Sequence, residues 1–171
     1  MGSEMCIRDR SILVTKRADH MRTHPGEWSF PGGKVDETDR DRPHTALREA
    51  EEEIGLPQDR VSLMGQLPDY HVRTGFNMTP VLGVVRGDVD YSLNKDEVSA
   101  IMKVPLQHFL DPDNCSVVSK DFKGQPIKLY SFEYDGEEIS GATAGLLVNM
   151  RSVLFKDPTL TPQRLFSFYY S

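Results

Sequence analysis

Apolar and polar residues follow a pattern that switches between strand-like and helix-like periods along the chain. Residues 12–15 form a short apolar run of strand type, followed by a charged loop to Glu27. Residues 28–30 read as extended, and Pro31-Gly32-Gly33 reads as a turn. Residues 34–42 have the polar, Asp-rich composition of a loop, and Pro43 suits a first helical turn, where its missing N–H costs nothing. In the helix that follows, Leu47, Ala50 and Ile54 fall at i, i+3 and i+7, an apolar stripe that can anchor on a core. Gly55 takes the position just past the helix end, where a left-handed backbone is common. Residues 61–67 and 79–85 are apolar strands, the second expected at the centre of its sheet. A further strand is expected over 97–104 and a short helix over 105–110. Residues 127–134 alternate, and Asp135-Gly136 is a hairpin turn signal. Residues 142–155 close the pattern with a helix marked by Leu146, Leu147, Met150 and Leu154. Strands with helices before and after them fit an α/β chain.

Composition narrows the classes of partner. A chain of 171 residues is long enough for one domain with a real core. A net charge of −6 gives no electrostatic reason to expect nucleic acid or a membrane surface as partner. Two cysteines, Cys6 and Cys115, form neither a disulfide framework nor a metal-ligand cluster. No apolar run approaches the ~18 residues needed to span a bilayer, and no signal peptide is visible. A soluble protein of the reducing cytoplasm is the expectation. Oligomeric state leaves no signal in the sequence.

Chemistry concentrates at one helix end. Arg48-Glu49-Ala50-Glu51-Glu52-Glu53-Ile54-Gly55-Leu56 puts four glutamates in the last turns of the helix. A helix C-terminus favours cations by roughly 0.3–1 kcal/mol per charge, and neighbouring glutamates repel one another. Such a breach of local rules points to function that compensates for it. Glu49, Glu52 and Glu53 stand at i, i+3 and i+4, on one face. Their hard oxygen donors suit Mg²⁺ or Mn²⁺, ions that also hold substrate phosphates. Glu51 lies between the two faces and is expected in solvent. The competing reading is a charged helix face with no ligand.

Gly33, followed by Arg48-Glu49-x-x-Glu52-Glu53-x-Gly55-Leu56, resembles the signature box of the Nudix hydrolases, which cleave a nucleoside diphosphate linked to another moiety. Asp39 stands where the box has its first glutamate, and eight residues rather than seven separate it from Arg48. Both departures mark the coenzyme A pyrophosphatase subgroup. A second motif of that subgroup is similar to Leu13-Val14-Thr15-Lys16-Arg17-Ala18, Arg22, Gly26 and Phe30-Pro31-Gly32-Gly33, with Val14 for the usual leucine. Weaker similarity continues through 67–71, 79–81, Glu97-Val98, 104–106 and 141–144, where Ser140 replaces a tryptophan. The resemblance spans roughly residues 12–154.

The resemblance implies an α/β/α sandwich with a mixed β-sheet and a metal-dependent pyrophosphohydrolase. Its substrate would be coenzyme A or a thioester of it, cut to 3′,5′-ADP and a 4′-phosphopantetheine fragment. Glu49, Glu52 and Glu53 are then the metal ligands, and one of them or Glu97 orients or deprotonates the attacking water. Arg48 would pair with a box glutamate and fix its rotamer. Gly32 and Gly33 allow close approach of backbone to metal or phosphate. Arg17, Arg22 and Lys16 are candidates for the substrate phosphates, with exposed loop cations as the alternative for the last two. His71 is the histidine expected in the pocket. Trp28 and Phe30 read as packing residues, and Asp36 and Asp39 as either site acids or solvated loop acids. Two other functions stay open: a Nudix hydrolase of an ADP-sugar or dinucleotide, and an inactive Nudix domain that senses a ligand.

The first ten residues differ in kind. Glu4-Met5-Cys6-Ile7-Arg8-Asp9-Arg10 resembles translated sequencing-adapter contamination, so residues 1–10 are expected to be a non-native leader. The single hydrolase domain is then expected over 11–171, shortened at its N-terminus if the leader has displaced a preceding strand.

Overall fold

The computed structural model describes residues 10–72, 75, 77–122 and 124–155. The expected leader, apart from Arg10, and Cys6 lie outside these. The chain divides into two compact units: Val14–Met102, and a second from Lys103 onward that includes the segment ending at Leu13.

The first unit carries the larger part of strand β1 (Ser11–Arg17), β2 (Trp28–Ser29), helix α1 (Arg42–Ile54), strands β3 (Val61–Gln66), β4 (Tyr70–His71), β5 (Asn77–Met78) and β6 (Val81–Val85), and the larger part of β7 (Val98–Pro105). β2, β1 and β7 form a three-stranded sheet in that order. β2 runs antiparallel to β1, with Thr15 opposite Ser29 and Lys16 opposite Trp28. β3 pairs antiparallel with β6, and the register shifts between Leu63 and Gly65. The expectation of a central strand over 79–85 is corrected here. β6 starts at Val81, pairs with β3 in a two-stranded sheet, and is only half-buried. Its unbroken apolar run looks like a strand covered on both faces, but pairing is set by the backbone and not by side-chain polarity.

α1 is framed by local chemistry at both ends. Asp41 caps it by accepting from the His44 N–H at 2.8 Å, and a proline occupies the first turn. At the other end Gly55 sits in the left-handed region at φ 65°. There its N–H donates to Glu51 O at 2.9 Å, and the Leu56 N–H donates to Ala50 O at 3.3 Å. The stripe works as a core anchor: Ala50 and Ile54 are buried with Val14, Trp28, Leu56, Leu67 and Val98, and α1 packs on β3 and β6.

The second unit holds α2 (Leu106–Leu110), β8 (Cys115–Phe122), β9 (Gln125–Tyr134), β10 (Glu137–Ser140) and α3 (Gly141–Phe155). β9 and β10 form the signalled hairpin, with Asp135 and Gly136 both at positive φ (52° and 76°). β8, on the far side of β9, carried no pattern that marked it as a strand, and its residues are largely exposed. α3 packs on β9, β10 and α2 around Phe109, Phe132, Ile139, Leu147 and Val148. The Phe109 and Phe132 rings meet edge to face, 5.2 Å apart. No helix among the described residues is long and apolar enough to cross a membrane.

Candidate active site

Two charge clusters flank α1, and both belong to the first unit. One centres on Asp39 and Arg48. The Asp39 side chain is fully buried. It accepts from Arg48 Nε and Nη2 (both 3.0 Å), Thr45 Oγ1 (2.9 Å) and the Asp36 N–H (2.9 Å), and His44 Nδ1 lies 3.0 Å away. This two-pronged guanidinium contact, followed by the backbone donor of Asp36, holds the Asp39 carboxyl well below the usual range. In return Asp39 pushes the Arg48 guanidinium upward. Arg48 also reaches Glu49 Oε1 at 3.0 Å through Nη2 and Glu52 Oε2 at 2.9 Å through Nη1. Its Nη2 donates further to Lys34 O at 3.3 Å, which ties the loop to the helix.

The second cluster centres on Glu53, which is 6% exposed. The Gly32 N–H donates to Glu53 Oε2 at 3.3 Å. Burial pushes the Glu53 carboxyl up to about 7, against that donor. The charges of Glu49 and Glu97 raise it further, and Arg17 partly offsets them. Next to this, the Glu49 carboxylate lies where a Cβ at Gly33 would sit, so a side chain there would have to displace it. The Pro31-Gly32-Gly33 turn thus supplies a backbone donor and close approach at adjacent positions.

Glu97 arrives from the segment before β7. Its carbonyl accepts from the Ala18 N–H at 2.9 Å, and its Oε1 accepts from Asn94 Nδ2 at 3.2 Å. The structure therefore gathers Glu49, Glu53, Glu97, Gly32, Gly33 and Arg17. It turns Glu52 (57% exposed) towards Arg48 and solvent. Glu51 is exposed and accepts from Gln58 Nε2 at 2.8 Å. Lys16 Nζ lies 5.5 Å over the buried Trp28 ring, and Arg17 Nε donates to Thr23 O at 3.2 Å. Arg22 is exposed. His71 in β4 contacts Asn77 Oδ1 through Nδ1, across the β4–β5 pair.

A divalent cation fits this chemistry in one respect. Glu49, Glu52 and Glu53 are hard oxygen donors, and the repulsion that Glu49 and Glu97 exert on Glu53 is only partly offset. As the side chains stand, no three His, Cys, Asp or Glu among the described residues converge into a ready cage. Glu49 and Glu52 are engaged by Arg48 instead.

Sequence reasoning left Asp39 undecided and passed over Asn94. Asp39 had a signal, since it occupies a box position. Asn94 had none, because its role rests on contacts across the fold.

Residues 4–122 match the NUDIX domain model. The chain belongs to the Nudix family. It is 38% identical over 136 residues to an uncharacterized Nudix hydrolase NudL of Enterobacter sp. (strain 638), covering 80% of this chain and 71% of the relative. It is 37% identical over the same length to the NudL protein of Escherichia coli (strain K12), with the same coverage. Its fold is similar to the crystal structure of RenU, a Nudix hydrolase from M. smegmatis, with a TM-score of 0.54 at 16% identity. That match covers 86% of this chain and 77% of the other. The fold is thus the α/β Nudix fold. Nudix hydrolases act on nucleoside diphosphate-linked substrates and generally use divalent metal ions.

Proposed function

We propose that this Nudix protein hydrolyses the pyrophosphate of coenzyme A or its thioesters in the cytoplasm, releasing 3′,5′-ADP and 4′-phosphopantetheine or its acyl derivative. The observation that carries the hydrolytic part is the carboxylate group beneath Gly32 and Gly33, where the Glu53 carboxyl is pushed up to about 7 by burial and by two neighbouring acids. Support for the substrate comes from the second motif, which runs in register into the box and brings Arg17 beside this group.

Glu49, Glu52 and Glu53 would hold Mg²⁺ or Mn²⁺. When bound, the ion neutralises phosphoryl oxygens and lowers the barrier to attack by water. The chain's own residues do the rest. Arg48, locked by Asp39, fixes the rotamers of Glu49 and Glu52. Arg17 and Arg22 bind phosphate oxygens, with Lys16 in support. The Gly32 N–H holds Glu53 Oε2, and Gly33 leaves room for the Glu49 carboxylate. Glu97 orients the attacking water and takes its proton on a carboxylate oxygen as the water oxygen bonds to phosphorus. The bridging P–O bond breaks, and the leaving phosphate carries the electron pair.

The test is mass spectrometry of products after incubation with coenzyme A, ADP-ribose or a dinucleoside polyphosphate, each with Mg²⁺ or Mn²⁺. Metal-dependent 3′,5′-ADP with little cleavage of the others is expected. Cleavage of the others alone would overturn the coenzyme A assignment. No cleavage of any, by protein that binds the metal, would favour a sensing domain.

A further inference from the structure

We infer that Asn94 is a positioning residue that sets the Glu97 carboxylate against the end of α1. This rests on the proposed role of Glu97 in handling the attacking water.

The last carbonyls of a helix need partners from outside it. At α1 the segment before β7 supplies two: the Ser92 N–H donates to Ile54 O at 3.0 Å, and the Asn94 N–H donates to Glu53 O at 2.9 Å. Gly55 makes the approach possible, since a Cβ there would lie 3.0–3.1 Å from Ser92 atoms, two of them backbone. Asn94 is thereby anchored to the residue that bears the buried carboxyl.

From that anchor Asn94 organises the next four residues. Its carbonyl accepts from Glu97 N at 3.0 Å and Val98 N at 2.8 Å, closing a turn. Its Oδ1 accepts from Asp96 N at 3.2 Å, and its Nδ2 donates to Glu97 Oε1 at 3.2 Å. The network fixes which way the amide points, because Asp96 N can only donate and the Glu97 carboxylate only accepts. A donor and an acceptor are both needed at this length, and a carboxamide supplies both. Aspartate would keep the turn to Asp96 but face Glu97 with a second negative oxygen. One residue thus joins the Glu53 backbone to Glu97 Oε1 and leaves Oε2 for other use. Displacement of a reacting group by ~1 Å can cost about 100-fold in rate, so this bond bears on turnover.

The experiment compares Asn94→Asp, Asn94→Ala, Glu97→Gln and Asn94→Asp with Glu97→Gln combined. Each is assayed with Mn²⁺ on coenzyme A, or on ADP-ribose if that is what the wild type cleaves. For Asn94→Asp we expect kcat to fall about 10–100-fold with KM nearly unchanged and the melting temperature retained. Asn94→Ala should lose both kcat and melting temperature, because the Asp96 turn goes as well. The combined variant should be no slower than Glu97→Gln alone, since the two act as a unit. Wild-type kcat in Asn94→Asp, or a further loss in the combined variant, overturns the inference. Full activity in Glu97→Gln overturns instead the proposed role of Glu97.

Discussion

The two ends of the acidic face of α1 solve the same problem in opposite ways. Around Arg48, three carboxylates share one guanidinium, and the buried one, Asp39, is held well below the usual range by it. Around Glu53, Glu49 and Glu97 press on a buried carboxyl whose own partner is one backbone donor at 3.3 Å, with the partial relief of Arg17, and it is pushed up to about 7. Burial of an acid is therefore not diagnostic by itself. What separates the clusters is whether the fold supplies the positive charge. At Asp39 it does, and the group is a scaffold. At Glu53 it does so only in part, and on the proposed function a bound cation supplies the rest.

The largest effect that would break this contrast is on turnover. Glu53→Gln should lower product formation by about 100–1000-fold while circular dichroism stays that of the wild type. Near-wild-type rates would place the chemistry elsewhere. The same group should leave a mark on stability in the absence of metal. Its folded pKa of about 7 lies above the ordinary value of 4.5, so the folded state binds more protons between those values. Stability from this group is then complete below about 4.5 and falls as pH rises to about 7, by about 3 kcal/mol in all. Chelator-treated protein followed by urea unfolding should show that slope, and Glu53→Gln should flatten it.

The box helix could be read from the sequence in some detail: its apolar stripe, its proline start, its glycine stop and the Glu49/Glu52/Glu53 spacing all depend on residues close in the chain. The hairpin at Asp135-Gly136 was legible for the same reason. β8 was not, because an exposed strand carries no apolar alternation, and its identity comes from pairing with β9. The division of labour within the acidic face was also hidden. Spacing puts Glu52 and Glu53 side by side, yet one is exposed and the other buried. That difference depends on where Gly32 and Asp39 arrive, 21 and 13 positions before them.

Smaller effects sharpen the contrast. Asp39→Asn keeps the shape of the scaffold but weakens its hold on Arg48. The Mn²⁺ concentration for half-maximal rate should rise about 10–100-fold, the usual cost of disturbing a group that orients ligands. An unchanged metal requirement would separate the two clusters functionally. Glu51→Gln is the control within the same acidic run. Exposed and bonded to Gln58, it should change stability by no more than about 0.5 kcal/mol and leave the rate as it is.

The most direct test of the central claim is calorimetric titration of Mn²⁺ into wild-type protein and Glu53→Gln at pH 7.5. Binding by the wild type that weakens at least about tenfold in Glu53→Gln is predicted, in line with loss of a ligand from a carboxylate site. Equal affinity in the two proteins would contradict the account, because the unbalanced charge at Glu53 would then have no part in holding the ion.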